Sequence, residues 1–72
     1  MGPDKTRVVE LFTSAAGELR EAATHLDVAV RHFQAGDIPR SCAHAFAARG
    51  HESQAASALD EATRIHARNS RV

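Results

Sequence analysis

Apolar residues recur at alternating spacings of three and four along the first half of the chain: Val9, Phe12, Ala16, Leu19, Ala23, Leu26, Val30 and Phe33. Sustained over more than three heptads, this pattern predicts one long helix, about residues 5–35, whose stripe lies against other helices. Val8, Ala15, Ala22 and Ala29 flank the stripe. The apolar face is therefore wider than a two-stranded coiled coil needs, which favours a bundle. Gly17 costs about 1 kcal/mol relative to Ala in a helix interior, but Phe12, Ala16 and Leu19 keep phase across it and the helix reads as continuous.

Pro3 and Asp4 suit the first turn of that helix. Gly36 supplies a left-handed C-terminal position, Asp37 caps the next helix and Pro39 enters its first turn. The second helix is expected over about 38–49, ended by Gly50, and a third over about 52–68, with Ala55, Ala58, Leu59, Ala62 and Ile65 as its stripe. On a helical wheel Ile38, Cys42, Ala45 and Phe46 share the face expected to be buried, opposite Arg40, His44 and Ala47. The expected fold is all-α: a long N-terminal helix plus a short antiparallel helical hairpin, three-helix bundle-like. It forms a single small domain over 1–72 with loose ends at 1–3 and 69–72.

Helix lengths of roughly 45, 16 and 25 Å do not match. The hairpin is expected to cover only the Leu26–Phe33 end of the first helix, leaving Val8, Val9, Phe12, Ala16 and Leu19 as an interface for a second copy or a helical partner protein. Leu26, Val30, Phe33, Ile38, Phe46, Leu59 and Ile65 are expected to hold the intrachain core. A break at Gly17, closing the chain as a monomeric four-helix cluster, is the competing arrangement.

Composition sharpens the need for a partner. The chain has 72 residues and a hydrophobic fraction of 43%, but only three Phe and no Trp or Tyr, so its Ala-rich stripes remove little area from water. Nine basic and nine acidic residues cancel, leaving no strong positive field of the kind a nucleic-acid or anionic-membrane binder carries. No apolar run approaches the length of a membrane span. Without a charged-then-apolar leader, and with Cys42 its single cysteine, the chain is expected to be cytoplasmic.

Residues 39–67 resemble one tetratricopeptide-type helical hairpin through Cys42, Ala43, Phe46, Gly50, Ala55, Leu59 and Ala62. Glu52 stands where that motif prefers an aromatic, Ala67 where its closing proline falls, and no second copy of the repeat is present. The resemblance implies a protein-binding module and no catalysis.

Candidate chemistry is sparse. His25, His32, His44, His51 and His66 are separated by 7, 12, 7 and 15 residues, so no helix presents two imidazoles three or four apart. Seven residues span about 10.5 Å, too far to share a zinc ion. No cofactor and no metal are expected; a site would have to join different helices, for example His32 with His51. Cys42 on a buried face reads as an inert hydrophobe, and Glu18 and Glu21 lack the enclosing pocket that acid–base catalysis needs, so no enzyme activity is expected. Glu21 with His25, Asp27 with Arg31 and Asp60 with Arg64 read as pairs on solvated helix faces. Arg64, Arg68 and Arg71 cluster near the C-terminus as candidate phosphate contacts. The alternative function is a helix-turn-helix-like DNA-binding regulator using helices two and three, although Phe46 is bulky for the crossing and Asp60 and Glu61 burden helix three.

Overall fold

The computed structural model describes residues 2–70 as two helices, α1 (Gly2–Gln34) and α2 (Ile38–Asn69), joined by a turn at 35–37. The chain is all-helical, and α1 passes through Gly17 unbroken. The expected three-helix arrangement is corrected to a two-helix antiparallel hairpin, because Gly50 lies inside α2. One glycine costs about 1 kcal/mol, and a break there would split the row Ser41, Ala48, Ala55 and Ala62, all of which are buried in one seam. The residues that resemble a tetratricopeptide-type hairpin accordingly lie along a single helix, as do those of the alternative helix-turn-helix.

The turn is built as its sequence dictates. Gly36 has φ 83°, its N–H donates to Phe33 O at 3.0 Å, and Asp37 N–H reaches back to His32 O at 2.8 Å. This pair of bonds closes a Schellman C-cap. The Asp37 carboxylate then accepts from the Arg40 N–H at 3.2 Å, and Pro39 sits in the first turn of α2.

Ala15, Ala22 and Ala29 of α1 pack along the antiparallel row of Ser41, Ala48, Ala55 and Ala62 of α2, each row repeating every seven residues. Small residues let the helices approach closely. At the turn end the Ser41 hydroxyl donates to the Ala29 carbonyl at 2.7 Å. At the open end Leu11 and Ile65 close the seam, with Val8 and Ala58 packed against them. There Arg7 donates from Nε and Nη2 to the two Glu61 oxygens at 2.8 and 3.0 Å, and Asn69 donates to Asp4 at 3.0 Å. Helix reaches into both segments expected to be loose, at Gly2 and Asn69, while Met1, Arg71 and Val72 lie outside the described residues.

The expected core is largely displaced. Ile65 is buried, but Leu26, Val30, Phe33, Ile38, Phe46 and Leu59 are exposed, Phe46 by 77%. Cys42 is exposed as well. The physical reason is that α2 carries one continuous row of small residues, and the row on α1 that matches it in size is the alanine row. Phe46, two residues from Ala48, points roughly 160° away from the seam.

Such a hairpin is a thin rod of 54 × 19 × 13 Å. Its radius of gyration is 16.4 Å, against about 11 Å for a compact domain of this length. It exposes 5303 Å², whereas a compact monomer of its mass exposes about 4,300 Å². Among the described residues no helix is long and apolar enough to cross a membrane.

Candidate functional site

The alanine seam divides the hairpin into two flanks of opposite character. On one, all eight residues of the predicted stripe, Val9 to Phe33, are exposed. Phe12 is 54% and Phe33 61% accessible. At 1.5 Å per residue the stripe is about 36 Å long. Two shallow grooves run beside it, one of about 490 Å³ between Phe12 and Leu59 and one of about 410 Å³ between Leu26 and Ala45. Of the five residues expected at an interface, Val9, Phe12, Ala16 and Leu19 stand on this flank; Val8 is half-buried against the Leu11–Ile65 cluster.

The stripe has an internal order. Phe12, Leu19, Leu26 and Phe33 form one heptad row of large residues, and Val9, Ala16, Ala23 and Val30 form the neighbouring row of smaller ones. Both rows read the same in either direction.

The other flank carries polar chemistry. Glu18, His25 and His32 repeat every seven residues on α1, as His44 and His51 do on α2. The antiparallel hairpin interleaves them in the spatial order His32, His44, His25, His51, Glu18. Ring centroids are 5.5 Å apart for His32–His44, 5.2 Å for His25–His44 and 5.4 Å for His25–His51. These separations are half the ~10.5 Å that seven residues span on one helix. Nδ1 of His25 and Nδ1 of His44 share a hydrogen bond at 3.0 Å, and His51 Nδ1 lies 2.9 Å from Glu18 Oε2. Glu21, His25 and His51 each offer a donor atom within 4.8 Å of the others. Spacing along single helices missed this cluster. Its signal was the pair of seven-residue intervals mirrored about the turn.

The remaining candidates stay dispersed. Arg64 and Arg68 are exposed, and both favour the charged form of the nearby Glu61; Arg71 lies outside the described residues. The hydrogen bond from Arg7, reinforced by its charge, holds the Glu61 carboxyl below the ordinary carboxylate range. Any phosphate at this end would therefore meet an acidic neighbour. Among the described residues Glu21–His25, Asp27–Arg31 and Asp60–Arg64 do not form ion pairs, whereas Arg7–Glu10, Arg40–Asp37 and Arg49–Glu52, each three apart, do. Comparison with known protein families, with characterised proteins and with solved structures found no match.

Proposed function

We propose that the protein is an assembly module that pairs with a second copy of itself along the exposed stripe of α1, antiparallel, to form a four-helix unit. One observation carries this reading: the stripe is complementary to itself when reversed. In an antiparallel pair each layer joins a residue of one row to a residue of the other. Val9 then faces Phe33 of the second copy, Phe12 faces Val30, Ala16 faces Leu26 and Leu19 faces Ala23. Every layer combines one large and one smaller side chain, as even packing requires. A parallel pair would stack Phe on Phe and Ala on Ala, alternating bulges with voids.

Surface area supports the same reading. The hairpin exposes about 1,000 Å² more than a compact monomer would, and a stable dimer covers about 800 Å² per subunit. A thin rod with a seam of alanines gains little from its own burial, so folding and pairing are expected to be coupled.

Sedimentation over a concentration series, with helicity followed in the same samples, tests the reading. The expected result is a mass twice that of the chain, and Phe12→Asp shifts it to the monomer. A fully helical monomer at all concentrations overturns it.

A further inference from the structure

On the flank away from the stripe, we infer a binding site for a divalent transition-metal ion of the zinc type, made by Glu21 and His25 of α1 and His51 of α2. Their donor atoms already lie within 4.8 Å of one another, and two imidazoles with a carboxylate form a recognised three-ligand zinc set that leaves one position for water.

The neighbours of these ligands prepare them. With a Glu18 carboxylate oxygen as acceptor, the 2.9 Å contact with His51 Nδ1 places the proton on that nitrogen. The lone pair of His51 is thereby left on Nε2. At His25, the 3.0 Å contact joins Nδ1 to Nδ1 of His44; with His25 as its donor, Nε2 of that ring carries the lone pair that would meet the metal. A carboxylate that fixes the tautomer from behind is the usual support of a metal-bound histidine. Glu21 and His25 are four apart and share one face of α1, so the ion needs only His51 to bridge the helices. Glu18, His51 and His25 are only partly exposed, which reduces the desolvation that binding requires. Imidazole donors select zinc, copper or nickel over calcium and magnesium, which prefer all-oxygen sites.

The bound ion would clip α1 to α2 midway along the alanine seam. On α1, His25 lies roughly 60° to one side of Ala22 and Leu19 roughly 60° to the other, so the site does not use the pairing stripe. Zinc binding is therefore read in the unaltered chain at one fixed protein concentration, and its loss in Glu21→Gln or His51→Gln, neither on the stripe, is separate from self-association.

Titration of the full chain with zinc chloride, by calorimetry and by thermal unfolding, tests the site, with magnesium as the negative control. The expected result is one zinc per chain and a raised melting temperature. Affinity should fall at least about tenfold in His51→Gln and in Glu21→Gln, and by about ten- to a hundredfold in Glu18→Gln. His66→Gln, on the other flank, keeps the affinity. Glu21 is exposed and outside the seam, so its variant preserves the fold and reads binding alone. No zinc-dependent stabilisation, equal stabilisation by magnesium, or an affinity unchanged in Glu21→Gln and His51→Gln would overturn the assignment.

Discussion

The Ser41 hydroxyl donates a 2.7 Å hydrogen bond to the Ala29 carbonyl on the opposite helix. A side chain this short spans the gap only because the helices meet along small residues. Ser41→Ala removes that bond and is expected to cost about 1 kcal/mol. Ala48→Leu, at a buried position midway along the seam, forces the helices apart and should cost about 1–3 kcal/mol. Urea unfolding of the two variants at one protein concentration measures both. A neutral Ala48→Leu would contradict the close seam.

Gly50 lies in the interior of α2, and a Cβ at this position meets nothing within 4 Å. Gly50→Ala should therefore stabilise the chain by roughly 0.5–1 kcal/mol, through the conformational freedom that glycine loses on folding. A turn at Gly50, as the sequence suggests, requires the opposite sign. The thermal midpoint of this variant distinguishes a continuous α2 from a broken one.

Phe46 is 77% exposed and Phe12 54%, yet the two should respond differently. Phe46 points away from both the seam and the α1 stripe, so Phe46→Ser should change stability by no more than about 0.5 kcal/mol. Its helicity and solution mass should match those of the unaltered chain. Loss of structure on that substitution would restore Phe46 to the core.

The Glu61 carboxyl is held below its ordinary value by the hydrogen bond and charge of Arg7. A carboxyl with a depressed folded-state value stabilises the fold above its unfolded value and loses that contribution as pH falls through the lower, folded one. The window therefore opens below the ordinary carboxylate value of 4.5. Because the pair is exposed, its effect on stability is small. Carbon chemical-shift titration reads it directly, and Arg7→Gln should move the Glu61 midpoint upward. An unmoved midpoint would mean that the bidentate contact does not persist in solution.

The long first helix, the Gly36–Asp37 turn and the stripe were all legible, because each rests on local chemistry: periodicity, a left-handed glycine and a capping carboxylate. The partner of each face was not. Val9–Phe33 is the more hydrophobic stripe, but packing is decided by the match between two surfaces, and the seam face of α2 offers the small row from Ser41 to Ala62. Gly50 reads as a helix end for a related reason, since its local penalty carries no sign of the seam that spans it. The histidine cluster became visible only once α1 and α2 were known to run antiparallel, which places His44 between His25 and His32.

Cysteine cross-linking reads the antiparallel pairing of α1 most directly. In a Cys42→Ser background, chains carrying Ala16→Cys are mixed with chains carrying Leu26→Cys and oxidised at neutral pH. Disulfides form only when Cα atoms come within about 7 Å. Antiparallel pairing predicts a cross-linked dimer in the mixture and none from either variant alone, whose cysteines would lie about 15 Å apart along the axis. Efficient cross-linking of each variant with itself, or none in the mixture, would contradict the pairing.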